Sequence, residues 1–211
     1  MKVNLDRPII YLISGGDATP ENFKTKKDEI MATVTAAVDA GVSMIQIREK
    51  RLTAKQLFEL VSDAVKITAG RITRLLVNDR ADIAYASGAD GVHLATSSLP
   101  VADVRRVFGQ KFVIAVSTHS GPEVMAARDN GADVVVFGPV FSTPGKPEPV
   151  GVGELRSVCS EAGDFPVIAL GGVSMDNYRS AIKAGAAGVA AIRMFGSAKD
   201  LPRIVREITN G

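Results

Sequence analysis

The chain has 211 residues, 46% of them hydrophobic, with 25 Lys and Arg against 23 Asp and Glu and a formal net charge of +2. That is enough apolar material for one sizeable core, so a single domain over residues 1–211 is expected. The near-balance of charge excludes the broad basic surface that nucleic acid or an anionic membrane demands, and any anion site must be local. The lone cysteine, Cys159, excludes an intrachain disulfide and reads as a small packing residue, and no Cys/His spacing suits zinc. The apolar run from Pro8 to Ile13 is too short for a signal-sequence core and nothing approaches a membrane span, which fits a cytoplasmic location.

Eight short runs rich in Val, Ile and Leu lie near residues 8–14, 44–49, 75–79, 91–94, 112–118, 134–138, 166–171 and 188–194. Each has the length of a buried strand. The segments between them carry helical spacing, as in Ile30, Val34, Ala37 and Val38, or Leu57, Leu60, Val61, Ala64 and Val65. Thr53 and Ser174 read as helix N-caps. Four of these helical segments close on a glycine and a small residue, Gly41-Val42, Gly88-Ala89, Gly131-Ala132 and Gly185-Ala186, and drop at once into the next apolar run. Glycine past a helix end takes the left-handed conformation that stops it, and a β-branched run suits a strand buried on both faces. Eight βα units without a linker predict a closed, parallel (β/α)8 TIM barrel. An open doubly wound sheet is the alternative, but no Gly-x-Gly-x-x-Gly follows the first strand. In a barrel of this kind function sits at the C-terminal ends of the strands.

Polar residues break the apolar pattern at those ends. In the second strand Gln46, Arg48 and Lys50 share one face by their spacing of two, and Ile45, Ile47 and Glu49 share the other. Two cations at the top of a dry strand need an anion or partner carboxylates, so the alternatives are an anionic substrate and a buried ion-pair network. The third strand ends in Asn78-Asp79-Arg80. Asp79 is placed to hold a divalent cation, or else to cap the next helix or pair with Arg48 or Arg80. The fifth strand ends in Ser117-Thr118-His119, where His119 can move protons or simply hydrogen-bond. His93, inside the fourth strand, reads as a satisfied core histidine. The long loop Gly138 to Gly151 carries Thr143 and Lys146 and has the look of a lid, with Lys146 either closing over a phosphate or solvated. Gly171-Gly172 and the turn at Arg193 offer backbone amides where such barrels bind phosphate. Arg193 either adds charge there or anchors an acidic residue.

Taken in order, Gln46-Ile47-Arg48-Glu49-Lys50, Asn78-Asp79-Arg80, Gly88-Ala89-Asp90-Gly91-Val92-His93-Leu94, Ser117-Thr118-His119-Ser120, the Gly138 to Lys146 loop and Gly171-Gly172-Val173 resemble the thiamine phosphate synthase family, which includes thiazole tautomerases. The resemblance implies a transferase that joins a hydroxymethylpyrimidine diphosphate to a thiazole phosphate and releases pyrophosphate with Mg2+. It implies that Gln46, Arg48, Lys50, Asn78, Ser117, Thr143 and Lys146 hold the diphosphate substrate and that Asp79 is a metal ligand. It further implies that Gly171, Gly172 and the backbone after strand eight take the thiazole phosphate. The partners implied are small phosphorylated heterocycles, with no nucleic acid and no membrane, and with room for a homo-oligomer.

Two departures from the family pattern stand out. Ser98 occupies the place of an expected second aspartate ligand, which leaves Mg2+ to Asp79, the pyrophosphate and water unless Asp103 reaches in. Arg193 stands where the family usually carries serine. The missing aspartate suits a metal-independent thiazole tautomerase working through His119, whereas the retained cationic clamp suits the synthase. A non-catalytic binder of a phosphorylated ligand is a third reading.

Overall fold

A computed structural model describes residues 8–143, 145 and 148–210. Strands and helices alternate from the first to the last: β1 (Ile9–Ile13), α1 (Phe23–Ala40), β2 (Met44–Ile47), α2 (Ala54–Thr68), β3 (Arg74–Asn78), α3 (Ala81–Ser87), β4 (Gly91–Leu94) and α4 (Val101–Phe108). The second half repeats the scheme with β5 (Val113–Thr118), α5 (Gly121–Asp129), β6 (Val134–Phe137), α6 (Gly151–Ala162), β7 (Val167–Ala169), α7 (Tyr178–Lys183), β8 (Gly188–Ala191) and α8 (Leu201–Asn210). The strands pair in parallel in chain order, and β8 returns to β1, with Tyr11 opposite both Met44 and Ala190. The sheet is the expected closed barrel.

Closure divides every strand by parity. Ile9, Tyr11, Ile13, Met44, Leu76, Ala115, Val136, Ile168 and Ala190 fill the inside. Their chain neighbours, among them Ile10, Leu12, Ile45, Leu75, Val77, Val135 and Val189, pack outward under the helices. A side-chain period of two against a closed sheet makes both sets necessary, and this is why the strands read as unbroken apolar runs.

The glycine rhythm has a structural counterpart at the base of the barrel. In all four cases the residue after the glycine donates its N–H back across the helix end: Val42 to Ala37, Ala89 to Ala84, Ala132 to Ala127 and Ala186 to Ala181. The glycine N–H bonds the carbonyl of the next residue along, nested inside the first bond, the pair that marks a Schellman stop. In three of the four, the side chain of the next residue then latches the preceding strand. Ser43 Oγ accepts from Ile10 N at 3.2 Å, Asp90 Oδ2 from Leu75 N at 2.8 Å and Asp133 Oδ2 from Ile114 N at 2.7 Å. Arg105 reinforces the third latch. Its guanidinium, on a side chain only 10% exposed, bonds Asp133 at 2.6 Å and the carbonyls of Gly109, Phe112 and Gly131.

Two local expectations need correction. The C-terminal ends of the strands are shorter than the apolar runs: β2 stops at Ile47, β7 at Ala169 and β8 at Ala191, so Arg48, Lys50 and Arg193 lie in turns. Ladder pairing ends where the rim turns polar, and strict alternation ends with it. Thr53 caps α2 with a full capping box, but Ser174 does not cap α7. Its Oγ accepts from Asp176 N in the turn that precedes the helix, and Asn177 is the residue at the α7 boundary.

Asp133→Ala would strand the Arg105 guanidinium and the Ile114 N–H, costing about 3 kcal/mol. For a chain of this size the expected fall in Tm is roughly 6–12 °C by calorimetry. An unchanged Tm would show that the latch carries no stability.

Candidate active site at the C-terminal mouth of the barrel

The mouth is organised first by Glu49, a residue whose role the sequence does not reveal. It is 2% exposed, and its carboxylate accepts from Ser14 Oγ, from Gly16 N at 3.0 Å and from Ala18 N at 3.0 Å. Ser14 Oγ in turn accepts from Arg48 N at 2.8 Å. A buried carboxylate with three donors pins the β1–α1 loop to the end of β2 and so fixes where Arg48 leaves the strand. The only sequence signal is a Glu among apolar residues on the outward parity of β2.

Below the rim a polar chain crosses the barrel interior. Gln46 Nε2 lies 3.3 Å from Tyr11 Oη, Tyr11 Oη 3.0 Å from His93 Nδ1, and His93 Nε2 2.8 Å from Ser117 Oγ. Gln46 is 1% exposed and His93 3%, and the latter is the satisfied core histidine the sequence suggests. Burial, and after it the positive charges of Arg48 and Lys50, push the His93 imidazole down to about 3. The ring is therefore neutral at physiological pH, and both cations lie close enough to the interior to act on it.

Above this chain stand groups with no partner of their own. Arg48 and Lys50 make no ion pair with any described residue, which removes the buried ion-pair alternative there. The Asn78 side-chain amide bonds no described residue, although Asn78 sits opposite His93 in the ladder. Asp79 neither caps α3 nor pairs with Arg80. Arg80 is engaged in two bonds to Asp82, at 2.8 and 2.6 Å. Asp79 is also the one described non-glycine residue with a positive φ, 62°, held by its N–H on the His93 carbonyl at 2.9 Å. The turn leaves the Asp79 carboxylate exposed at the strand end.

The opposite wall is built from backbone. Val140 N bonds Leu170 O at 2.8 Å and Phe141 N bonds Gly171 O at 2.9 Å, so the loops after β6 and β7 run on as a pair beyond the strands. Gly171 and Gly172 both have positive φ, and a Cβ on Gly172 would lie 2.4 Å from Ser142 O, so only glycine fits beneath the upper loop. Their N–H groups donate to no described residue. Thr143 Oγ1 donates to Phe141 O at 3.0 Å, leaving the hydroxyl as an acceptor. Lys146 lies outside the described residues. Nδ1 of the exposed His119 donates to the Gly138 carbonyl, and its backbone N–H bonds Glu123, so Nε2 is the nitrogen left free. Arg193 anchors no acidic residue among those described. It lines a cavity of about 300 Å³ with Ser14, Asp17, Lys26 and Phe195, on the β1–α1 side of the mouth.

Among the described residues no group of three or more His, Cys, Asp or Glu side chains could hold a metal. Asp103 does not reach in, because it pairs with Arg106 on its own helix at 2.9 Å. Ser98 Oγ is occupied by the Ala95 N–H at 2.7 Å. The donor set is thus the single free carboxylate of Asp79, which fits a magnesium ion that brings a diphosphate and water as its other ligands, and does not fit a resident metal.

The neutral His93 has a pH signature. The unfolded chain binds a proton near the ordinary histidine value and the folded chain does not, so stability is complete above about pH 6.5 and falls as pH drops towards about 3. Asp63, held down to about 2 by Lys27 and Lys66, adds its own loss only below about pH 4. Between pH 6.5 and 4 the Tm of His93→Gln should therefore fall less steeply than that of the wild type, the limiting slope for one proton being ~1.4 kcal/mol per pH unit. Parallel curves would contradict a buried neutral imidazole.

Residues 10–195 match the family model described as thiamine monophosphate synthase. The chain is 34% identical over 201 residues to the thiamine-phosphate synthase of Caldicellulosiruptor bescii, covering 94% of this chain and 90% of that one. It is 39% identical over 206 residues to the thiamine biosynthesis bifunctional protein ThiM/ThiE of Symbiobacterium thermophilum, covering 96% of this chain and 40% of that longer protein. Among solved structures, the thiamine phosphate pyrophosphorylase from Pyrococcus furiosus superimposes with a TM-score of 0.77 at 27% identity, over 97% of this chain and 99% of that one. No helix among the described residues is long and apolar enough to cross a membrane. A closed barrel with unpaired cations on one wall of its mouth and bare glycine amides on the other, matched along nearly its whole length by these relatives, belongs to the thiamine monophosphate synthase family.

Proposed function

We propose that this chain is a thiamine-phosphate synthase, which couples hydroxymethylpyrimidine diphosphate to a thiazole phosphate. The C–O bond to the diphosphate breaks, pyrophosphate leaves, and the thiazole ring nitrogen forms the new C–N bond to the pyrimidine methylene carbon. The observation that carries this reading is the set Arg48, Lys50, Asn78 and Asp79: four polar groups at neighbouring strand ends with no hydrogen bond or ion pair from their side chains to any described residue. Gathered at one rim and committed to no described partner, they are free to meet an anionic ligand and its metal ion.

The roles follow from position. β3 and β7 lie on opposite sides of an eight-stranded ring. A diphosphate on Arg48, Lys50 and Asn78 and a phosphate on the Gly171 and Gly172 amides then place the two heterocycles between them, over Gln46 and Ser117. Holding both rings across one mouth makes the coupling effectively intramolecular. The cations of Arg48 and Lys50, with Lys146 from the loop, stabilise the departing pyrophosphate, and being fixed beforehand they need no reorganisation as charge develops. Asp79 is the protein ligand for magnesium, whose chemistry is to neutralise the leaving group. His119, with Nε2 free, is placed to accept a proton, and that observation favours thiazole tautomerisation as a second reading.

Purified protein with both substrates and magnesium should form thiamine phosphate and release pyrophosphate, read by mass spectrometry. Isomerisation of a thiazole carboxylate phosphate without coupling, abolished in His119→Ala, would establish the tautomerase instead. Asp79→Asn should lower turnover about 10- to 100-fold and weaken the magnesium dependence while thiazole phosphate binding is nearly unchanged. Equal loss of both would remove Asp79 from the metal.

A further inference from the structure

We propose that Tyr11 and His93 are positioning residues that set the polarity of the Ser117 hydroxyl, so that its proton is directed to the pyrimidine substrate. The inference deepens the synthase reading and rests on it for the identity of that substrate.

The polarity follows from counting protons along the buried chain. Gln46 places its Nε2 amide, which only donates, 3.3 Å from Tyr11 Oη. Tyr11 therefore accepts there, and its own proton is directed to His93 Nδ1, 3.0 Å away. With Nδ1 an acceptor, the neutral imidazole carries its proton on Nε2 and donates it to Ser117 Oγ at 2.8 Å. A ring whose Nδ1 accepts from Tyr11 has no place there for a second proton. The Ser117 proton then has no place on His93 and no acceptor among the other described residues, and Ser117 is half-buried at the mouth. It is left to donate to whatever enters. Tyr11 is fully buried and touches no substrate, so it can act on the reaction only through this chain.

The arrangement is selective. A ring offering a lone pair at Ser117 takes up the free proton, whereas a ring offering only an N–H leaves that proton without an acceptor, the kind of loss that discriminates in a buried site. Turning the Gln46 amide end for end would reverse every bond and make Ser117 an acceptor, which gives the proposal a sharp alternative.

The test is a double-mutant cycle with an NMR measurement beside it. In the Ser117 background His93→Leu should lower kcat/KM for coupling tenfold or more. In a Ser117→Ala background it should cost no more than about twofold, because the hydroxyl it positions is gone. His93→Gln, which keeps a donor near the Nε2 position, should restore most of the loss, and Tyr11→Phe supplies the same cycle should His93→Leu fold poorly. Equal losses in both backgrounds, the mark of a merely structural role, overturn the proposal. The imidazole 15N spectrum of the wild type should show a neutral Nε2–H tautomer from pH 5 to 7, and a Nδ1–H tautomer or an imidazolium overturns the proposal whatever the kinetics. A wild type that couples nothing sinks the synthase reading, and the tautomer then decides the polarity of Ser117 alone.

Discussion

Barrel closure is the constraint on which this molecule depends. A parallel sheet joined from β8 back to β1 has no edge, so no residue can slip by one position without exchanging the inner and outer faces of its strand. Everything directed inward must then be apolar or fully hydrogen-bonded, because the inside is filled with side chains rather than water. The chain obeys this: no described buried side-chain nitrogen or oxygen lacks a partner. Four interior polar residues, Tyr11, Gln46, His93 and Ser117, hydrogen-bond one another across four strands, and only the Ser117 proton is left to face the mouth.

The two ends of the barrel meet the same constraint in opposite ways. At the base, Schellman stops and the latches from Ser43, Asp90 and Asp133 use backbone N–H groups that would otherwise face nothing. Charge there is matched, as in Arg105 with Asp133 and Arg74 with Asp90. At the mouth charge is left unmatched on the cations, while the one deeply buried carboxylate, Glu49, spends its oxygens on the β1–α1 loop. A carboxylate free to swing towards Arg48 would compete with an anionic substrate. Committing Glu49 to backbone amides keeps the guanidinium available.

Much of this was legible in the residues, and the misses have physical causes. Gly-Ala or Gly-Val before an apolar run marks a helix stop because the left-handed turn needs glycine, and four repeats of it leave few folds to choose from. Cationic and amide side chains at strand ends stand out because such positions are otherwise apolar. The ladders stop a few residues short of the apolar runs, since Leu170 and Ile192 pack against the interior beyond β7 and β8, with Leu170 bonded to Phe137 and Val140 outside the regular ladder. Ser174 resembled a cap because a serine before a helix usually is one, and here an extra turn intervenes. The role of Glu49 is not legible because its partners, two backbone amides and the Ser14 hydroxyl, belong to a segment more than thirty positions away, which the local pattern of β2 does not encode. The linkage of Tyr11 to His93 spans 82 positions and is set by barrel register alone.

The left-handed backbone at Asp79 has an evolutionary corollary. Glycine would occupy that conformation with no steric penalty, and releasing a non-glycine residue from it is worth about 1 kcal/mol or more. A library screened for heat resistance alone would therefore drift towards glycine at this position and accumulate sturdier barrels whose third strand ends in silence. The carboxylate at that position is therefore not what backbone comfort alone would select, and the same test of an uncomfortable residue can be applied at the strand ends of other barrels.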